Sequence, residues 1–167
     1  MAAKLARFRS YVESTAKSRA VKAIAEESNG EIEINRGRSI ARIVAEGMQP
    51  PLAYIPCEPS SSERETLGIS EDERLPETAP DEFIGLSLEE YRDAQLLRFF
   101  PAREKFWIER LRNGGGSSTL FICGANHVST FACRLIEAGI PCKVVSFDWW
   151  ASDDRDNGPL PLDERPI

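Results

Sequence analysis

The sequence predicts an α/β domain of three layers, in which a mainly parallel sheet of about four strands lies between helices. Short apolar runs alternate with amphipathic helical patterns along the 167 residues, as is typical of parallel strands joined by helices. The clearest unit lies at 118–147, where an apolar strand, a glycine turn, a helix and a β-branched strand follow one another. We therefore assign 1–150 to one α/β domain and expect an acidic, flexible tail at 151–167.

The first half of the chain supplies two of the predicted strands. An amphipathic helix is predicted at 3–20, followed by a strand at 21–25. A second helix is expected at 38–48, where it ends before two prolines, and a second strand at 52–55. Serine and glutamate three residues apart, either as Ser60 with Glu63 or as Ser62 with Glu65, then predict the start of a short helix.

The middle of the chain contains an acidic stretch and a long helical pattern. Residues 69–86 are rich in glutamate, aspartate and proline, which indicates a mobile loop, either a lid over a site or an ordinary insertion. Ser87 and Glu90 have capping-box spacing and open a helical pattern at 88–112. Pro101 is expected to kink this helix or to divide it in two.

The unit at 118–147 contributes the last two strands. Gly124 ends the first of them and permits either a positive φ or a close approach of the backbone. Gly139 and Pro141 end the helix that follows, and 142–147 is predicted as the next strand. The helical spacing places one apolar stripe against the sheet: Val128, Phe131, Ala132, Leu135 and Ile136.

Composition excludes several classes of function. The net charge is −6 and the pI is about 5.0, which argues against general nucleic-acid or membrane-surface binding. The sequence has no apolar run long enough to span a bilayer and no signal-peptide pattern at its start. We expect a cytoplasmic protein with a small-molecule or peptide ligand. Trp149 and Trp150 would cover a sheet edge or form a dimer contact, so a homo-oligomer is compatible with the sequence.

The four cysteines are expected to be free thiols. Cys57, Cys123, Cys133 and Cys142 are scattered and form no Cys-x-x-Cys pair, a pattern that favours buried thiols over a zinc site or disulfides.

The turn after the strand at 120–123 carries a polar pair, Asn126 and His127, where ligands bind in parallel sheets. His127 is the single histidine of the chain. At a helix N-terminus the macrodipole opposes its protonation, which leaves a neutral imidazole that can ligate a metal or accept a proton. The alternative is that Asn126 caps the helix and His127 is an ordinary first-turn residue. The turn lacks the glycine patterns of dinucleotide and P-loop sites.

Charged residues at the other strand ends complete the candidate site. Glu26 and Glu27 follow the strand at 21–25 and are either site carboxylates or ordinary exposed acids. Glu58 and Arg64 lie after the strand at 52–55, close to the same edge. Arg103 occupies an inward position on the apolar stripe of the helix at 88–112. A buried guanidinium needs a carboxylate or an anionic ligand, so an internal salt bridge and a substrate-anion site are both open.

The segment from Arg103 to Leu111, a glycine-rich gap, and the run from Leu120 to His127 resemble the C-terminal half of the TraB/TIKI group of the erythromycin-esterase/ChaN-like superfamily. That family has an Arg-Asn-x-x-Trp type helix, then an apolar strand and a Gly-x-x-His turn. The similarity covers 100–147, and 23–27 resembles the family's strand that ends in glutamate. Here Glu104 replaces the family's asparagine, and the first Gly-x-x-His motif is absent.

The resemblance implies a cleft lined by glutamate, arginine and histidine, and some family members are metal-dependent peptidases. It assigns Glu26 or Glu27 as the acid, Arg103 as the cleft arginine, Gly124 as the turn residue and His127 as the second-motif histidine. The family's two-histidine metal site cannot form within one chain that has a single histidine. A homodimer would bring two incomplete sites together.

These observations lead to two hypotheses of function. The first is a hydrolase-like domain in which His127, Arg103 and Glu26 or Glu27 are catalytic, with a divalent metal as the cofactor to consider. The second is a non-catalytic binding or regulatory module that descends from such a hydrolase. In both, we expect four further residues to contact the ligand: Gly124, Asn126, Glu104 and Arg64.

Overall fold

The computed structural model describes residues 2–69, 85–114, 118–147 and Trp149. It confirms an α/β fold with an all-parallel sheet between helices. The described residues form three strands, fewer than the expected four: β1 Ala23–Glu26, β2 Ala53–Pro56 and β3 Thr119–Ile122. The strand order is β2-β1-β3, so β1 is central. Both neighbours pair with β1 over its whole length, from Ala23 opposite Ala53 and Thr119 to Glu26 opposite Pro56 and Ile122.

Seven α-helices lie in the described ranges: α1 Ala2–Ser18, α2 Gly30–Arg36, α3 Ile40–Gly47, α4 Ser61–Thr66, α5 Leu88–Arg98, α6 Phe100–Gly114 and α7 Val128–Glu137. A 3₁₀ turn, Ala125–His127, precedes α7. The predicted long helix is divided at Phe99, as expected for a proline in the first turn of the second part. The predicted helix starts are also confirmed: Ser60 with Glu63 forms a full capping box, and Ser87 exchanges the same bonds with Glu90.

Two apolar cores cover the two faces of the sheet, because successive side chains of β1 point to opposite sides. Ile24 packs into the core formed with α1 and α3. Ala23 and Ala25 pack into the core formed with α6 and α7, where Trp107 is fully buried. The domain therefore has three layers, and all three strands end at the same edge.

The predicted fourth strand at 142–147 is wrong. That segment has no strand pairing, although Val144 and Val145 are half-buried. It lines a cavity of about 710 Å³ together with β3 and α1. The β-branched pair favours an extended chain, but a strand also needs a partner within hydrogen-bond distance. The cavity lies between 142–147 and the outer edge of β3, so the segment does not pair with that strand.

Three smaller expectations also needed correction. No helix was expected between the strand at 21–25 and the helix at 38–48, but helix α2 lies there. Asn29 caps its first turn and accepts a 2.9 Å hydrogen bond from the Ile32 N–H. Ile136 was expected to face the sheet and is 54% exposed. Ile69, at the start of the predicted acidic loop, is buried against Tyr91 and Phe99.

The remainder of that acidic loop, 70–84, and the predicted tail at 151–167 lie outside the described residues. None of the helices described in the structure is long and apolar enough to cross a membrane.

Candidate functional site

The candidate site lies where the three strands end. Glu27 follows β1, Glu58 follows β2, and the turn from Gly124 to His127 follows β3. Helix α6 packs across this edge and contributes Arg103. Ligands bind outside the carboxyl ends of the strands in open parallel sheets, so the charged side chains converge where the fold favours a site.

Arg103 is the centre of the cluster and is only 8% exposed. Its Nε and Nη2 donate to the two oxygens of Glu58 at 3.1 and 3.0 Å, and Nη2 also donates to Glu27. Burial alone would lower the pKa of Arg103, but the two carboxylates more than offset this effect and raise that pKa. Of the two interpretations left open by the sequence, the internal salt bridge is the one observed.

His127 is 3% exposed, and its two ring nitrogens have different partners. Nε2 lies 3.3 Å from Nη1 of Arg103, and Nδ1 lies 3.0 Å from Oε1 of Glu104. Because a guanidinium can only donate, Nε2 must accept, and the proton must be on Nδ1, where it is donated to Glu104. The network thus fixes the orientation of the imidazole ring and favours one tautomer.

Glu104 is fully buried and holds His127 in place. Besides the imidazole, its carboxylate accepts from the Thr130 hydroxyl at 2.5 Å and from Nε of Arg134 at 2.7 Å. The His127 ring also packs against Phe100, with ring centroids 3.8 Å apart. A buried carboxylate with three donors satisfies the requirement that buried charges be paired.

Arg64 joins the network through Glu58. The Glu58 side chain is 1% exposed and accepts from Arg64, from Arg103 and from the Trp107 indole N–H at 3.1 Å. Arg64 was expected to contact a ligand, and in the structure its guanidinium pairs with a buried carboxylate.

Glu27 and Gly124 meet directly. The Gly124 N–H donates to Oε2 of Glu27 at 2.8 Å, while Oε1 pairs with Arg103. Gly124 has a φ of −60°, so the positive φ considered from the sequence is not used. A Cβ at this position would lie 3.5 Å from Oε2 of Glu27, an ordinary contact.

Glu26 belongs to a different cluster. Neighbouring side chains of a strand point to opposite faces, and Glu26 accepts a 3.0 Å hydrogen bond from the Tyr54 hydroxyl. Burial is the main cause that raises its pKa. Of the two glutamates that the sequence offered, Glu27 is the one brought to Arg103 and His127. Asn126 is exposed and caps neither the 3₁₀ turn nor α7, since neither begins with a side-chain cap.

The donor set does not fit a metal ion. Within the described residues no group of three histidine, cysteine or acidic side chains is arranged to hold one. The carboxylates of Glu27, Glu58 and Glu104 each pair with an arginine, and a divalent cation beside these guanidinium groups would be repelled. The four cysteines are free thiols, but the expectation that they are buried is wrong for Cys133 and Cys142, which are exposed.

An open groove of about 650 Å³ runs past Glu27, between the end of β1 and helices α1, α2 and α3. The Glu27 side chain is 21% exposed, in contrast to 1% for Glu58, 0% for Glu104 and 4% for His127. Glu26 lines the same groove, and Glu27 is the residue that links the buried network to it.

Sequence reasoning missed Trp107, Thr130 and Arg134 as members of the network. Each could have been found from helical spacing. Trp107 lies four residues after Arg103, while Thr130 and Arg134 lie three and seven residues after His127, on the same side of α7.

Comparisons with protein-family models, curated proteins and solved structures found no match. The similarity to the TraB/TIKI group stays a prediction from the residues alone.

Proposed function

We propose that the chain is a hydrolase-like domain whose active site lies at the carboxyl edge of the sheet, with Glu27 as the general base. The exposure of Glu27 carries the proposal. A base must reach the proton that it accepts, and the other acidic and histidine side chains of the network are almost fully enclosed. A water molecule in the groove can contact Glu27.

The proposed reaction is hydrolysis of an ester or amide. Glu27 takes a proton from water as the water oxygen bonds to the carbonyl carbon. The bond from that carbon to the leaving oxygen or nitrogen then breaks, and Glu27 returns the proton to the leaving atom. Both carboxylate oxygens are oriented, one by Arg103 and one by the Gly124 N–H, and each retains a lone pair for water.

His127 is a positioning residue in this scheme. Its Nε2 accepts from Arg103, so it is not available as the base that we expected from the sequence. Glu104 orients His127, and His127 and Glu58 together orient Arg103. The chain of buried bonds fixes the guanidinium against Glu27, which is the preorganisation that a catalytic carboxylate needs. No step requires a metal, since the donor set does not fit one.

A second candidate is a non-catalytic module that binds a small molecule or a peptide. The charge balance of the network favours it. Three carboxylates, of Glu27, Glu58 and Glu104, face three guanidinium groups, of Arg64, Arg103 and Arg134. Such a network is satisfied without a ligand, as expected of a cleft that has lost its chemistry.

The test is a screen of chromogenic esters and anilides with the wild-type protein and the Glu27→Gln variant, both purified without an affinity tag. Loss of a general base lowers the rate by about 100-fold or more, so turnover by the wild type that vanishes in the variant supports the hydrolase. Ligand binding without turnover supports the second candidate. Equal turnover by both proteins excludes Glu27 as the base.

The cellular setting belongs to the same proposal. Four free thiols suit a reducing compartment, and we propose the cytoplasm. A distant relationship to the TraB/TIKI group and a homo-oligomeric state are further parts of the proposal, and sedimentation of the purified protein tests the oligomeric state.

A further inference from the structure

We infer that the groove beside Glu27 binds a small organic anion that also carries a hydroxyl group. The inference names the ligand class of the proposed site, and it rests on the proposed function only for the position of the bond that is cleaved. The binding itself follows from three features of the groove that the hydrolytic scheme does not use: a buried hydroxyl, a set of arginines and an apolar wall.

The buried hydroxyl belongs to Ser28, which lines the groove and is only 3% exposed. Its Oγ has no hydrogen-bond partner within the described part of the chain. The backbone of Ser28 is fixed, because its N–H donates to Glu26 O at 2.8 Å and its carbonyl accepts from the Glu58 N–H at 3.0 Å. A buried polar group without a partner is rare in native proteins and calls for an explanation. The oxygen itself is closed off from solvent in the free protein, so a ligand in the groove would supply the missing partner when the side chain turns toward it.

The arginines set the charge of the ligand. Arg9 of α1, Arg36 at the end of α2 and Arg38 all line the groove. Arg38 pairs with Glu46 at 2.9 Å, whereas Arg9 and Arg36 form no salt bridge among the residues that the structure describes. Guanidinium groups bind carboxylate and phosphate in a bidentate manner. Lys17 has the larger effect in lowering the pKa of the Glu13 carboxyl, and Arg9, which also lies near Glu13, lowers that pKa further. Arg36 is therefore the guanidinium that most favours an anionic group in the groove.

Glu26 and Glu27 both line the groove, and these carboxylates determine where the uncharged end of the ligand lies. A carboxylate repels an anion and accepts a hydrogen bond from a hydroxyl. Ser28, next in the chain, can both donate to and accept from the same hydroxyl. Ile32, Ile40 and Ile43 provide the apolar wall between these polar ends. The ligand that satisfies all of them is short, has an anionic group for the arginines and has a hydroxyl for Glu27 and Ser28.

Three probes separate these requirements: glycerol 3-phosphate, inorganic phosphate and glycerol, each titrated against the full-length protein by calorimetry and by amide NMR. We expect glycerol 3-phosphate to bind most tightly, phosphate to bind more weakly and glycerol not to bind measurably. Glycerol 3-phosphate contains no acyl bond, so its binding is independent of the proposed hydrolysis. If it binds and no ester is cleaved, the proposed function fails while this inference stands.

Matched variants complete the test. Arg36→Gln should weaken binding of glycerol 3-phosphate by about tenfold, the usual effect of a lost charge-assisted hydrogen bond. Lys22→Gln removes the same charge from an exposed residue at the opposite end of β1 and should leave binding unchanged. Ser28→Ala should weaken binding while the unfolding temperature stays the same or rises, because the lost hydroxyl has no partner among the residues that the structure describes.

The inference is overturned if glycerol 3-phosphate binds no more tightly than phosphate, or if Lys22→Gln and Arg36→Gln weaken binding equally. It is also overturned if Ser28→Ala lowers the unfolding temperature and leaves binding intact, because the hydroxyl would then be structural.

Discussion

Removal of the Arg103 charge should destabilise the domain strongly. Arg103→Met keeps an unbranched side chain of similar length and deletes the guanidinium that Glu27 and Glu58 share. Breaking a buried ion pair by removal of one partner costs about 3–5 kcal/mol. Two features place the expected loss of stability near the lower end of this range. Glu58 keeps Arg64 and the Trp107 indole as donors, and Glu27 is exposed enough to regain water.

We therefore expect a loss of about 3 kcal/mol in the free energy of unfolding. For a chain of this length, that loss corresponds to a fall of roughly 6–12 °C in the unfolding temperature. Urea titration followed by tryptophan fluorescence measures the loss directly, since Trp107 is buried in the same cluster. An unchanged dependence on urea concentration would show that the variant unfolds from the same compact state.

Arg110→Met is the matched control. Arg110 also lies on α6 and pairs with Glu63 at 2.6 Å, but these side chains are 46% and 37% exposed. An exposed ion pair contributes about 1 kcal/mol or less, so the control should lose much less stability than Arg103→Met. Equal losses in the two variants would refute the conclusion that Arg103 is the buried centre of the network.

Three further predictions concern pH, thiols and metal. Burial raises the pKa of Glu26 above its ordinary value of 4.5, so its stabilising contribution is full below pH 4.5 and is lost as pH rises through the raised value. Glu26→Gln should remove that part of the pH dependence in urea titrations, and an identical dependence in both proteins would contradict it. Burial raises the pKa of the Cys57 and Cys123 thiols to about 12, so a thiol reagent at neutral pH should modify the exposed Cys133 and Cys142 first, as peptide mapping can show. A chelator should leave the unfolding temperature unchanged, and a clear fall in calorimetry would mean that a metal is bound after all.

The positions of the site residues were predictable because the ends of strands and the apolar stripes of helices can be recognised in the local sequence. The stripe on α6 correctly placed Arg103 inward, and the turn after β3 correctly placed His127 at the sheet edge. The spacing of residues along the helix and the turn could not predict which side chains Arg103 and His127 contact. Whether Arg103 meets a carboxylate or a ligand depends on residues 45 and 76 positions away in the chain, Glu58 and Glu27.

The choice between Glu26 and Glu27 needed the exact end of β1. Side chains alternate along a strand, so an error of one residue in the register exchanges the two faces. The fourth strand failed for a related reason. The Val144-Val145 pair carries the local preference for an extended chain, but pairing with β3 depends on the path taken after α7, which the sequence of 142–147 does not encode.

Helix α2 was missed because Gly30 at its first position lowers helix propensity. The signal was nevertheless present in Asn29 as the cap and in Glu31 and Glu33 within the first turn. This short helix matters for function because Ile32 and Arg36, which line the groove, belong to it.

The most direct test of the account is the kcat/KM of the best ester from the screen, measured for the wild type, Glu27→Gln and Glu13→Gln. Glu13 is a carboxylate on α1 that pairs with Lys17 and lies outside the site, so its variant should retain wild-type activity. We predict that Glu27→Gln loses about 100-fold or more, the effect of removing a general base, while the protein stays folded and its urea midpoint falls less than that of Arg103→Met, because Glu58 still pairs with Arg103. Undiminished activity in a folded Glu27→Gln protein would contradict the central claim that Glu27 is the group that contacts the reacting water.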